Sequence, residues 1–204
     1  MPREIQTAVQ VANCALRILQ MPEIESFDED STPARTVKMY YDLALRKCIG
    51  AYKWQFSQNQ SELEQLATAE LPQWKFSYKL PPDMIALIWL RCGTENGPGW
   101  NNLQNYEIVA GNVVCTNANA PLFCRYQYEA PVAAMPNYFL DYLIQELAEE
   151  LAPVFGYNVV GQKILSDRVR DSFGKMNMAI LTEVRQLGSQ KPMPMGKLAM
   201  GRNW

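Results

Sequence analysis

Histidine is missing from all 204 residues. Its absence excludes Ser-His-Asp and Cys-His catalysis, histidine-containing zinc sites and imidazole pH switches. Long apolar runs are missing too. The longest, Met84 to Leu90, falls far short of the ~20 residues that span a bilayer. Cysteine is sparse and odd in number, with five residues at 14, 48, 92, 115 and 124 and no Cys-x-x-Cys pair. That disfavours both a disulfide framework and a thiolate metal site, and reduced thiols in a cytoplasm fit best. No charge predominates either: 19 basic and 21 acidic residues leave a net charge of −2, which argues against coating nucleic acid through bulk positive charge. The opening Met1-Pro2-Arg3-Glu4-Ile5 leads into a polar-spaced segment and not an apolar signal core, so export by that route is not expected.

What is present fits an ordinary globular chain, 48% hydrophobic and 20% charged, of one domain or one plus a small insertion. Ile5, Ala8, Val9, Ala12, Leu16 and Leu19 recur at helical spacing and predict an amphipathic helix over 4–20, ended by Met21-Pro22. An acidic connector, Glu23 to Asp30, follows. A second helix starts at Ser31 or Thr32, where a hydroxyl caps the free N–H groups and Pro33 suits the first turn. It runs to about Trp54, burying Val37, Tyr40, Tyr41, Ala44, Leu45, Cys48 and Tyr52.

The middle third changes period. Trp74, Phe76, Tyr78 and Leu80 alternate with Lys75, Ser77 and Lys79 as in a half-buried strand, and Met84 to Arg91 reads as a more fully buried one. Gly93 to Trp100 reads as a loop. Tyr106–Val109 and Val113–Thr116 around Gly111-Asn112 suggest a hairpin, since glycine and asparagine tolerate positive φ. Leu122 to Tyr128 supplies another strand. Helix returns after Pro136, with a stripe of Phe139, Tyr142, Leu143, Leu147 and Leu151, and again from about Val159 with Val160, Ile164, Val169, Phe173, Met176, Ile180, Val184 and Leu187. The expected fold class is α+β but mainly helical: a four-helix bundle-like body from 1–57 and 136–187, a small antiparallel β insertion at 58–135, and a flexible C-terminal tail at 188–204.

Candidate chemistry is thin. The acids Glu25, Asp28, Glu29 and Asp30 lack the alternation and turn glycine of a calcium loop and read as a solvated connector. Gly93, Gly97 and Gly99 precede neither a helix nor a lysine, as a phosphate cradle requires. Glu146, Glu149 and Glu150 could serve a glycosidase, but Glu146 and Glu150 lie one turn apart on what reads as an outward face. The Trp74, Phe76, Tyr78 row could stack nucleic-acid bases, yet alternation sends its lysines to the other face, which favours core packing. No catalytic, cofactor or metal set emerges.

The tail stands out. From Gly188 onward it carries Lys191, Lys197 and Arg202 and no acid, while the rest of the chain holds 16 basic and 21 acidic residues. At roughly 3.3 Å per residue its 17 residues reach ~55 Å extended. Lys191, Met193, Met195, Lys197, Leu198, Met200, Arg202 and Trp204 supply adaptable apolar contact and positive charge suited to a groove on an acidic partner.

The N-terminal third resembles a known family. Ala12-Asn13-Cys14-Ala15-Leu16, Leu19 and Ile24-Glu25-Ser26-Phe27-Asp28-Glu29-Asp30-Ser31 look like the opening of the tail tubular protein A family, the head-to-tail adaptors of short-tailed bacteriophages. The likeness continues through Ala34-Arg35, Tyr41-Asp42, Trp54-Gln55-Phe56-Ser57 and Tyr78-Lys79-Leu80-Pro81-Pro82-Asp83. It covers residues 8–85 by motif and the later helices by pattern alone. The resemblance implies a virion protein assembled in the bacterial host cytoplasm as a ring of twelve. The ring sits between the portal and the tail nozzle protein, its C-terminal extension docked on the portal. Genomic DNA passes through the lumen without sequence-specific binding. No cofactor, membrane or enzymatic activity is implied. Two other readings stay open: a neck or connector protein of another phage type, and a tail-associated cell-wall or polysaccharide hydrolase.

Overall fold

A computed structural model describes residues 5–93, 100–119, 121–156 and 159–186. Helix α1 spans Ala8–Ile18. It starts later than the apolar spacing suggests because Thr7 caps it: the Thr7 hydroxyl accepts from the Gln10 N–H at 3.3 Å, and the Gln10 side chain accepts from the Thr7 N–H at 3.1 Å. Its end precedes Pro22. The Gln20 N–H donates to Arg17 O and the Met21 N–H to Leu16 O, with Gln20 at φ 53, so the terminal carbonyls are closed by a left-handed residue.

Helix α2, Thr32–Ala51, starts where expected, with the Ser31 hydroxyl accepting from the Ala34 N–H at 3.3 Å. It stops short of Trp54, whose indole N–H turns back to Cys48 O at 2.8 Å. The Gln127 side-chain amide donates to Ile49 O and Tyr52 O, at 2.9 and 2.6 Å. Last-turn carbonyls that a helix leaves unpaired are thus satisfied from outside it. Of the expected face, Val37, Tyr41, Ala44, Leu45 and Cys48 are buried, joined by Ala34 and Ile49, whereas Tyr40 is half-buried and Tyr52 exposed.

Helix α3, Asn137–Leu151, is buried nearly all round, and α4, Val159–Gln186, lies along it. A helix buried on nearly every side belongs at the centre, and α1, α2 and α4 all pack on α3. On α4 the inward stripe is Leu165, Val169, Phe173, Met176 and Ile180. Ile164, expected inside, is exposed. Leu187 and the tail lie outside the described residues.

Among the described residues eight strands occupy the middle of the chain: β1 Gln58–Glu62, β2 Glu64–Gln65, β3 Phe76–Lys79, β4 Met84–Cys92, β5 Asn101–Asn102, β6 Tyr106–Val109, β7 Val113–Thr116 and β8 Leu122–Tyr128. They form two antiparallel sheets, ordered β1-β8-β4-β5 and β2-β3-β7-β6. Leu63, Tyr78, Leu80, Leu90, Val114, Leu122, Cys124 and Tyr126 make a core of their own, separate from the helical one. The mainly helical, four-helix bundle-like fold class is therefore corrected: the chain is α+β, with two four-stranded sheets standing beside four helices among the described residues. The sheets outgrew the expectation because β1 (Gln-Asn-Gln-Ser-Glu) and the two-residue β2 and β5 carry no apolar alternation. Such strands form by ladder pairing with β8, β3 and β4.

Three local expectations are also revised. Trp74 lies outside β3, because the segment before it folds over the outer face of its sheet. There the Glu70 N–H donates to the Ser77 hydroxyl at 2.9 Å and the Trp74 indole to Glu107 at 3.0 Å. Ser77 and Tyr78, on opposite faces, are consequently both buried. Strand β4 is half-exposed along most of its length, with only Leu90 fully buried. The β6–β7 hairpin is present, but its positive φ values fall on Ala110 (50°) and Gly111 (73°). Asn112 instead uses its carbonyl, which accepts from the Leu80 N–H.

Candidate functional site

The acidic connector is a built element. The Asn13 amide reaches across from α1, donating to Ile24 O and accepting from the Ile24 N–H, both at 2.9 Å. Phe27 packs on Tyr41 with ring centroids 5.4 Å apart. Three acids have cationic neighbours: Glu23 with Arg17 at 2.6 Å, Asp28 with Lys38 at 2.7 Å, and Asp30 with Arg35. The hydrogen bond and charge of Lys38 hold the Asp28 carboxyl below the usual range. Glu29 is also lowered, first by the backbone N–H of Glu25 and then by the Ser31 hydroxyl. Glu25 and Glu29 have no cationic partner among the described residues. Among those residues no group of three or more His, Cys, Asp or Glu is placed to hold a metal ion.

The carboxylates considered for acid–base work sit differently from the expectation. Glu146 faces inward, its side chain 3% exposed and in contact with the Lys47 ammonium, which also meets Glu150 at 2.8 Å. Burial alone would lower the Lys47 pKa, but the bonds to Glu146 and Glu150 outweigh it and hold the ammonium above its ordinary range. Burial pushes the Cys48 thiol up, with the Glu146 charge adding to it. The Tyr142 hydroxyl is raised by burial and then by Cys48 and Glu146. This arrangement ties α2 to α3 through an ammonium shared by two carboxylates one turn apart. The Cys48 thiol is fully buried and packs within the helical core.

The aromatic feature legible in the sequence was Trp74, Phe76 and Tyr78. The structure separates it, with Tyr78 buried, Phe76 half-buried and Trp74 bonded to Glu107. A different set comes together on the outer face of the β1-β8-β4-β5 sheet. Along β8, alternation turns Leu122, Cys124 and Tyr126 into the core and Phe123, Arg125 and Gln127 outward. The end of α2 covers Gln127. Beyond it, Trp89 and Trp100 meet edge to face, centroids 5.9 Å apart, and Trp100 meets Phe123 at 5.1 Å. The Arg91 guanidinium lies 4.5 Å from the centre of the Trp89 ring and 5.5 Å from that of Trp100, within cation–π range. Its Nε donates to the Asn102 side chain at 3.1 Å. Arg125 stands opposite Trp89 in the ladder. Neither arginine forms an ion pair among the described residues. The signal was present as Trp89-x-Arg91 and Phe123-x-Arg125, but reading Met84 to Arg91 as a buried strand hid it.

The tail residues Lys191, Met193, Met195, Lys197, Leu198, Met200, Arg202 and Trp204 lie outside the described residues, as do 94–99 of the glycine loop. No helix among the described residues is long and apolar enough to cross a membrane. No protein-family model matches the chain, and no curated protein matches it.

Proposed function

We propose that the chain is a structural virion protein, a head-to-tail adaptor of the tail tubular protein A type. Copies close into a ring, twelve by the resemblance, between portal and tail nozzle, and the ring forms part of the channel through which DNA leaves. The observation that carries this reading is how the residues of the resemblance behave in three dimensions. Asn13 bonds Ile24, Phe27 packs on Tyr41, and Trp54 stacks with Phe56 and Phe139 at 6.0 and 5.0 Å. Motif residues thus serve to fix α1, the connector, α2 and α3 against one another, which suits a load-transmitting subunit.

Two further features support it. Met39 and Leu43, one turn apart on the outer side of α2, are 73% and 54% exposed, an apolar pair suited to a protein partner. Glu146, the most enclosed of the candidate catalytic carboxylates, is buried against Lys47, which disfavours a hydrolase built on residues 146–150. The tail from Lys191 to Trp204 is assigned to the portal on its chemistry. Mixing the protein with portal and imaging the product tests the proposal. A ring of countable subunits seated on the portal is expected, lost when residues 188–204 are deleted while the remaining chain stays folded. Absence of any ring or portal complex overturns it.

A further inference from the structure

The outer-sheet cluster needs an occupant. Arg91 keeps its terminal N–H fork free of described partners while its flat face rests on two indoles, and Arg125 stands one strand away. Two guanidiniums beside aromatic rings, half out of water and with no ion-pair partner among the described residues, are suited to carboxylates. At the other end of α2 two carboxylates have no cationic partner among the described residues: Glu25 and Glu29, in a connector whose Asp28 and Asp30 side chains are 86% and 91% exposed. The connector runs directly into the N-terminus of α2, and the sheet is bonded to its C-terminal end through Gln127. Twenty helical residues put about 30 Å between those ends. Complementary but unlike surfaces at opposite ends of a rigid strut generate head-to-tail contacts, the kind that close rings.

We propose that the face formed by Trp89, Arg91, Trp100, Phe123 and Arg125 receives the acidic connector, Glu23 to Asp30, of a second copy of this chain. The inference rests on the adaptor reading and assigns one of its subunit contacts. Arg91 and Arg125 meet Glu25 and Glu29, and the indoles pack against the connector backbone. Glu62, opposite Phe123 on the edge strand, bounds the face and repels an acidic segment placed out of register. The local pairs Arg17–Glu23, Lys38–Asp28 and Arg35–Asp30 are exposed, so the connector can exchange them at little cost.

Charge exchange in the full-length protein tests this. Arg91→Glu with Arg125→Glu, and separately Glu25→Lys with Glu29→Lys, should each weaken self-association about a hundredfold by sedimentation velocity. An equimolar mixture of the two variants should restore it, because each then offers the other a complementary surface. The connector variant changes loop positions outside both cores, Glu25 exposed and Glu29 half-buried, and stays informative even where the sheet variant melts early. Either variant assembling like the wild type overturns the proposal, as does a mixture that fails to recover while both variants remain folded. A wild-type ring on the portal that tolerates both pairs of substitutions overturns this contact and leaves the adaptor reading standing. A wild-type chain that assembles neither alone nor with portal overturns both.

Discussion

Asn13 and Ile24 hold each other by two hydrogen bonds of 2.9 Å across eleven positions of chain. The asparagine side chain satisfies both backbone groups of a residue that is only 4% exposed, so the acidic connector leaves α1 at a fixed angle. Asn13→Ala removes both partners and leaves a buried N–H and C=O unpaired, at roughly 2–3 kcal/mol. For a chain of this length the melting temperature should fall by about 5–10 °C. The Ile24 amide should exchange with solvent much faster.

Among the described residues, Lys47 is the one cation that meets the buried Glu146 carboxylate. Lys47→Met should cost about 2–3 kcal/mol, below the value for a fully enclosed pair because Lys47 is half-exposed. Adding Glu146→Gln should recover most of that loss in urea melts. The pH dependence has a definite sign. In the wild type the Lys47 pKa is raised, so its contribution is complete below the unfolded lysine value and constant across neutral pH.

The carboxyl groups of Asp28 and Glu29 are lowered by different neighbours, which makes them separable. Their contribution is present above the unfolded carboxyl value, near 4, and is lost as pH falls through the depressed folded values. In an NMR titration both should protonate below their ordinary midpoints. Lys38→Ala should return Asp28 toward the ordinary range and leave Glu29, held by the Glu25 N–H and Ser31, where it was. Equal movement of both would mean that the general field of the helix start governs them.

Helices were legible in the sequence where an apolar stripe coincided with a cap. Ser31 and Pro33 started α2 where expected, and Phe139, Tyr142, Leu143, Leu147 and Leu151 are all buried on α3. The ends were less legible because they depend on distant partners: α2 stops where Trp54 and Gln127 take its last carbonyls, and neither bond can be read from local spacing. Strand β1 was invisible for a related reason, its five polar residues being placed by the β8 ladder. The Trp89–Arg91–Trp100 cluster escaped notice because an amphipathic strand rich in large side chains resembles a buried one until the covering layer is known. Here α2 covers only the Gln127 end.

Among the described residues two non-glycine residues occupy left-handed backbone, Gln20 at φ 53 after α1 and Ala110 at φ 50 in the β6–β7 turn. A Cβ is disfavoured there by roughly 1–2 kcal/mol, and glycine avoids that strain while adding about 0.4–1 kcal/mol of unfolded-state entropy. Gln20→Gly and Ala110→Gly should therefore each stabilise the chain by about 0.5–1 kcal/mol, raising the melting temperature by a few degrees. The neighbouring Gly111, at φ 73 with open space around a notional Cβ, provides the opposite control. Gly111→Ala meets no steric neighbour, so its loss of about 1 kcal/mol would come from backbone conformation alone. If Ala110→Gly lowered the melting temperature and Gly111→Ala raised it, the turn would be governed by chain entropy and not by backbone strain.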